Sequence, residues 1–272
     1  MAKARINEPL APPAEGGAEV SAVHFGFRRV LPEQKVGLVR AVFDSVADRY
    51  DLMNDLMSAG VHRLWKAAMV DWLAPRAGIR LVDVAGGTGD IALRVLERVG
   101  GPAANARRGG AVTVCDLNAS MLKAGRAKAA DRGVVAGATF LCADAEALPM
   151  ADSSVDAYTI AFGLRNVTRT EAALREARRV LKPGGRFLCL EFSRVTVPLL
   201  GALYERYSFT VLPRLGEIVT GDADAYRYLV ESIRRFPPQD ELADLMGAAG
   251  LDNVKYRNLS GGIAALHSAW RL

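Results

Sequence analysis

The chain has 272 residues, half of them hydrophobic and 24% charged, which suits one α/β domain with a sizeable core and excludes a largely disordered polymer. With 35 Lys and Arg against 30 Asp and Glu, the net charge of +5 suits an anionic surface or simple solubility. It is too small, and too little interleaved with aromatics, to indicate nucleic acid as a partner.

Residues 1–22 are rich in Ala, Pro, Gly and Glu without periodicity and are expected to be a mobile tail. No run approaches the ~20 apolar residues that cross a bilayer, and the start lacks the pattern of a secretory signal. A cytoplasmic location is expected. From His24 to about residue 70 apolar residues recur at helical spacing, so a helical layer is predicted, with Met53, Met57 and Trp65 in its core. Tyr50, Asp51, Asn54, Ser58 and His62 are more polar groups than packing requires, so this layer could also serve as a lid.

Ile79 to Val84 read as a buried strand. The small-residue loop AGGTG follows, then helical spacing from Ile91 to Val99. Gly86, Gly87 and Gly89 permit a tight turn and close approach of a ligand to the backbone. Gly87-x-Gly89-x-x-Ala92 also satisfies the dinucleotide pattern, so a pyrophosphate, an adenosyl sulfonium ligand and an empty structural turn all fit this stretch. Gly100 to Gly110 is predicted to be a solvated basic loop. Ala111 to Cys115 form a second strand ending in Asp116, whose carboxylate is suited to accept from both hydroxyls of a ribose. A helix is expected from Asn118 to Ala130. Thr139 to Ala143 form a third strand followed by Asp144, Ala145 and Glu146, and a carboxylate there can accept from the exocyclic amine of adenine or cap its own loop.

Val155 to Ala161 make a fourth strand, leading into FGLRNVT. Arg165 and Asn166 then stand at the carboxyl edge of the sheet, where open α/β sheets hold ligands. Glu171 to Leu181 are amphipathic and stop at Lys182-Pro-Gly-Gly. Arg186 to Phe192 make a fifth strand. Residues 195–235 read as a helical insertion, either plain packing or a cover for an apolar substrate with Arg206, Arg214, Arg234 and Arg235 toward lipid head groups. A helix over Gln239–Ala249 and two closing strands, Asn253–Arg257 and Ile263–Leu272, complete the chain. Cys115, Cys142 and Cys189 each fall in a predicted buried strand and read as core residues, with no metal site expected.

Strand, glycine loop, helix, a strand ending in Asp and a strand followed by an acidic residue together resemble the class I S-adenosylmethionine methyltransferases. YDLMNDLMSAGVHRLW at 50–65 and RVLKPGGRFLCLEFS at 179–193 resemble the signature segments of the UbiE-type ubiquinone and menaquinone biosynthesis C-methyltransferases. HFGF at 24–27, DVAGGTGD at 83–90, FGLRNVT at 162–168 and residues 226–237 are similar to that family too. Ala85, where the wider class has glycine, agrees with this family's AGGTG.

The resemblance implies a Rossmann-like fold with a mostly parallel seven-stranded sheet, helices on both faces, an N-terminal helical layer and the 195–235 cover, as one domain over 23–272. It implies S-adenosylmethionine as cofactor, bound by Thr88, Asp116, Asp144 and Ala145 in a pocket shaped by Gly86, Gly87 and Gly89. Many relatives carry Asn at position 144, and serine where this chain has Ala161, so a hydroxyl contact there is expected to be absent. The implied reaction is C-methylation of a polyprenylated benzoquinol (2-methoxy-6-polyprenyl-1,4-benzoquinol type), of demethylmenaquinol, or of both. Arg165, Asn166 and Tyr50 are then expected near the quinol, with a bound water or His62 as proton acceptor. Transient contact with the inner membrane surface, a homodimer or a quinone-biosynthesis complex are the implied associations. A nicotinamide oxidoreductase and a noncatalytic cofactor-binding subunit are the alternatives.

Overall fold

The computed structural model of the chain describes residues 22–46, 54, 55, 58, 60–198, 201, 204, 206, 207, 210 and 223–272. Residues 1–21 of the predicted 1–22 tail, Tyr50, Asp51, Met53, Met57, Arg214 and most of residues 199–222 of the predicted 195–235 cover lie outside the described residues.

A seven-stranded sheet organises the chain, in the order β5-β4-β3-β6-β7-β9-β8. Its strands are β3 (Arg80–Val84), β4 (Ala111–Asp116), β5 (Ala138–Cys142), β6 (Val155–Ala161), β7 (Leu181–Phe192), β8 (Asp252–Leu259) and β9 (Ala264–Trp270). The first five run parallel, and β9 pairs antiparallel with both β7 and β8. The central strands are continuous apolar runs because both of their faces are covered. Along β7, Leu188 and Leu190 enter one core while Phe187 and Cys189 enter the other. The first core is closed by α2 (His62–Leu73), α3 (Asp90–Arg98) and α7 (Ala223–Arg235). The second is closed by α6 (Thr170–Val180) and α8 (Gln239–Ala248). α1 (Pro32–Val46) and α5 (Ala119–Asp131) stand near the carboxyl ends of β4 and β5, where the strands stop and ligand-sized space begins.

Four sequence expectations are corrected. The stretch beginning at His24 is not helical at first: Val23–Phe25 (β1) and Arg28–Val30 (β2) form a hairpin across Gly26 and Phe27, with Gly26 at φ +57°. Residues 102–106 of the predicted basic loop form a short helix, α4 (Pro102–Ala106). Its buried Asn105 accepts from Gly78 N (2.8 Å) and donates to the Ile79 carbonyl (3.1 Å), fixing the entry to β3. Cys115 and Cys189 are buried but Cys142 is exposed, because β5 is an edge strand and only part of it is covered. Lys182 to Gly185 do not form a free stop after α6. They lie in β7, which starts at Leu181 and bulges against β6 between Val155 and Ala157.

Candidate functional site

The loop after β3 is strained by design of its neighbours. Ala85 adopts a left-handed φ of +49°, and so does Phe162 at +57° just after β6; neither side chain favours that region, and such outliers gather at ligand sites. Gly163 explains how the two fit together, since a Cβ on it would lie 2.3 Å from Ala85 Cβ. Gly87, at φ +52°, could carry a Cβ only by pressing on Met121 Cε at 2.9 Å. The backbone is therefore bare where it faces the cleft.

That cleft encloses about 830 Å³, mouth included, along the carboxyl ends of β3, β4, β5 and β6. Gly87, Asp116, Asp144, Ala145 and Asn166 all line it. Asp116 Oδ2 accepts from Gly87 N and its Oδ1 from Asn118 N, both at 2.8 Å. Burial pushes the Asp116 carboxyl above the usual range, with those backbone donors opposing. Each oxygen keeps further lone pairs for a ligand hydroxyl. Asp144 Oδ1 caps its own turn by accepting from Glu146 N at 2.9 Å, so both roles foreseen for this carboxylate are open to it. Glu146 is itself engaged by Arg169, through N (2.7 Å) and Nε (2.6 Å).

α1 roofs this cleft with Val36, Val39 and Phe43. It is pinned by Asn118, whose Nδ2 donates to Asp44 Oδ1 (2.9 Å) while its Oδ1 caps α5 by accepting from Met121 N (3.0 Å). Arg40 Nη2 adds a bond to the Leu117 carbonyl at 3.2 Å.

A smaller cleft adjoins the first, sharing Ala85, Gly87 and Phe162, and is lined also by Gly86, Thr88, Asp83, Asp90 and Lys66. Lys66 Nζ meets Asp90 Oδ2 at 2.9 Å, both nearly buried. Burial alone would raise the Asp90 pKa, but Lys66 and Arg94 outweigh it and hold the carboxyl near about 2. Among the described residues no cation touches Asp83, and burial pushes it up to about 7, against the Thr159 hydroxyl (2.8 Å) and Ala92 N (3.3 Å) that donate to it. Gly89 lines neither cleft. It begins α3 in the left-handed conformation, close to Val114 and Phe140.

Arg165 and Asn166 share a 3₁₀ turn, Leu164–Asn166, but face differently. Asn166 lines the large cleft, its Oδ1 accepting from the Tyr228 hydroxyl at 2.9 Å. Arg165 lies behind it, in a buried ion pair with Glu191 at 2.9 Å, and its Nη1 also donates to the Phe162 carbonyl at 2.6 Å. Burial pushes the Glu191 carboxyl up, opposed by that guanidinium. The Arg165 Nε is buried and unpartnered.

His62 is buried with Nε2 2.8 Å from Asp55 Oδ1 and lines neither cleft; its pKa is lowered by burial, with Lys66 adding to the effect. Trp65 packs against Phe162 and Phe192, ring centres 6.3 and 6.0 Å away. Asn54 and Ser58 are buried as well.

Sequence reasoning missed Glu191, Tyr228 and the Lys66–Asp90 pair. A carboxylate inside the apolar run LCLEF is itself a signal, since a strand buried on both faces holds a charge only beside a partner. Nothing local in the sequence links Tyr228 to Asn166.

The model of the ubiE/COQ5 methyltransferase family matches residues 28–271. The chain is 56% identical to the ubiquinone/menaquinone biosynthesis C-methyltransferase UbiE of Brucella abortus (strain S19) over 95% of this chain and 93% of that protein. It is 57% identical to the UbiE protein of Paracoccus denitrificans (strain Pd 1222), over 93% and 98%. Among solved structures, a SAM-dependent methyltransferase from Thermotoga maritima superposes with a TM-score of 0.59 at 21% identity, over 86% of this chain and all of that one. The [4+2]-cyclase SpnF gives 0.56 at 20% identity, over 87% and 96%. These two show the fold, and the relatives give the nicotinamide and noncatalytic readings no support.

Proposed function

Because the chain belongs to the ubiE/COQ5 methyltransferase family, we propose that it transfers a methyl group from S-adenosylmethionine to a ring carbon of a polyprenylated quinol. The acceptor is a 2-methoxy-6-polyprenyl-1,4-benzoquinol, a demethylmenaquinol, or both. The observation that carries this reading is the pair of carboxylates, Asp116 and Asp144, after neighbouring strands along one cleft floored by the bare backbone of Gly87.

The residues fit an adenosyl ligand. Asp116 would accept from the ribose hydroxyls and Asp144 from the adenine amine, between apolar walls given by Phe43, Leu117 and Met121. Ala145 and Gly87 leave room for the base and sugar. In the adjoining arm, with Gly86 and Thr88, the Asp83 carboxyl suits an ammonium and Lys66 suits a carboxylate. When bound, the sulfonium supplies an electrophilic methyl group.

Aromatic carbon attacks such a methyl only after a ring hydroxyl gives up its proton, and phenols hold theirs to about pH 10. Asn166, oriented by Tyr228, is placed to hold the ring hydroxyl or the water that takes this proton. Tyr50 is the further candidate for holding that water. A guanidinium stays protonated in proteins, and Arg165 is already engaged by Glu191. Its role is positioning: it holds the Phe162 carbonyl and the turn that presents Asn166. Aligning the ring carbon with the methyl and sulfur supplies much of the remaining acceleration. A prenyl tail partitions into lipid, so the reading carries with it exchange of substrate at a membrane surface; no helix among the described residues is long and apolar enough to span one.

Calorimetric titration with S-adenosylmethionine tests the donor site. Binding is expected in the wild type, and Asp116→Ala is expected to weaken it by about 100-fold or more, from the loss of two hydrogen bonds to a charged acceptor. Equal affinity in the two proteins would remove Asp116 from the site.

A further inference from the structure

A third cavity, about 770 Å³ with its mouth, opens beyond the Val167–Thr168 backbone from the donor cleft, both residues lining the two spaces. The β1–β2 hairpin, the start of α1, the loop after β6 and the last turns of α7 wall it. Among the described residues, His24, Lys35, Arg235 and the Glu191-paired Arg165 line this cavity, and no carboxylate does.

Lys35 is the informative residue. It is only 6% exposed, and one N–H of its ammonium goes to the Val167 carbonyl at 2.8 Å, which leaves two donors for another acceptor. The carboxylate that acts on it through space, Glu146, is bound to Arg169. A buried cation without an anion in contact is costly, and a ligand that supplies the anion offsets that cost. At His24 the field is positive. Besides burial, the charges of Arg235, Arg29 and Lys35 all drive the His24 pKa down. Burial likewise draws Lys35 down to about 8, with Glu146 opposing, so the ammonium form still dominates near neutrality. Arg235 is exposed, and Thr168 and Thr170 also line the cavity.

We infer that this cavity is a phosphate-binding site, in which Lys35 Nζ, the Arg235 guanidinium and the His24 ring hold a phosphate group. Donors carried into one cavity by separate elements can meet the several oxygens of a tetrahedral anion, and a planar carboxylate would leave part of the set unused. The phosphate is either free inorganic phosphate or the phosphodiester of an anionic lipid head group. The chemistry at the site is the same for both.

The two sources separate in one experiment on the full chain. The imidazole signals of the three histidines are followed by NMR, with His24 identified by His24→Gln, during titration with inorganic phosphate against sodium chloride of equal ionic strength. Sedimentation with phosphatidylglycerol vesicles and with phosphatidylcholine vesicles runs in parallel. Saturable movement of the His24 signals by phosphate supports the free anion. Sedimentation with phosphatidylglycerol alone, without a phosphate effect, supports the head group. In either case Arg235→Gln and Lys35→Met are expected to weaken the response about tenfold or more. Lys35→Met also loses the bond to Val167, so the exposed Arg235→Gln decides if the lysine variant does not fold. The inference is overturned if neither probe acts on the wild type, or if Arg235→Gln responds as the wild type does.

Discussion

Glu191→Leu is expected to be severely destabilising, because it strands the Arg165 guanidinium. Nη1 of that arginine meets the carboxylate oxygens at 3.2 and 2.9 Å, and the two side chains are 2% and 1% exposed. A guanidinium does not shed its proton on burial, so removing its partner should cost about 3–5 kcal/mol. Arg165→Met differs in kind. The carboxyl left behind, which burial already pushes up, can accept a proton and become neutral. Its folded-state pKa then lies further above the unfolded value. The variant's deficit is therefore smallest at low pH and grows as pH rises through that folded pKa. The double variant Arg165→Met/Glu191→Leu removes both charges and should return to within about 1–2 kcal/mol of the wild type. Urea unfolding of the four proteins at about pH 5 and pH 8 gives the cycle, with kcat and KM for methyl transfer measured alongside. Additive losses in the double variant would refute the paired assignment. Restored stability with lost methyl transfer is expected, because the guanidinium that holds the Phe162 carbonyl is gone; recovery of both would show that the pair serves stability alone and would refute the positioning role.

Three further outcomes follow from the same geometry. Gly87→Ala places a methyl 2.9 Å from Met121 Cε and 3.8 Å from Asp116 Oδ2; calorimetry should show S-adenosylmethionine affinity down about tenfold or more, while the left-handed residue costs only about 1–2 kcal/mol in stability. Unchanged affinity would contradict the placement of the donor there. Without ligand, ionising Asp83 opposes folding. Its pKa rises from 3.8 to about 7, so this contribution is fully present below about pH 4 and is lost as pH climbs through about 7. The loss is about 4 kcal/mol at most. Thermal melts of the wild type and Asp83→Asn across that range check this, and identical pH profiles would refute it. Asn118→Ala loses both the cap on α5 and the tie to Asp44, and urea unfolding should show a loss of about 1–2 kcal/mol.

The parallel half of the sheet was legible because continuous apolar runs such as Leu81–Val84 and Val155–Ala161 mean strands covered on both faces, and helical spacing between them means crossovers. That Asp116 and Asp144 stand at the carboxyl edge of the sheet was legible for the same reason, since one ends β4 and the other follows β5 by two residues. Cys142 was misread because local composition does not reveal which strand is at an edge. The hairpin at Val23–Val30 was hidden by its three-residue strands, although Gly26 between two aromatic residues was a usable turn signal. The facing of Arg165 was not legible either. Only the pairing of β7 beside β6 brings Glu191 under the turn that carries Arg165 and Asn166, and adjacent residues in a 3₁₀ turn point to different sides. Lys35 depended on contact with Val167, far along the chain, which no local pattern encodes.

The most direct test is methyl transfer itself, using S-adenosylmethionine labelled with ¹³C in its methyl group and short-chain benzoquinol and demethylmenaquinol acceptors. NMR and mass analysis of the product should place the labelled methyl on a ring carbon, in amounts that fall sharply for Asp116→Ala. Label on a quinol oxygen, or no transfer to either acceptor by the folded protein, would contradict the proposed C-methylation.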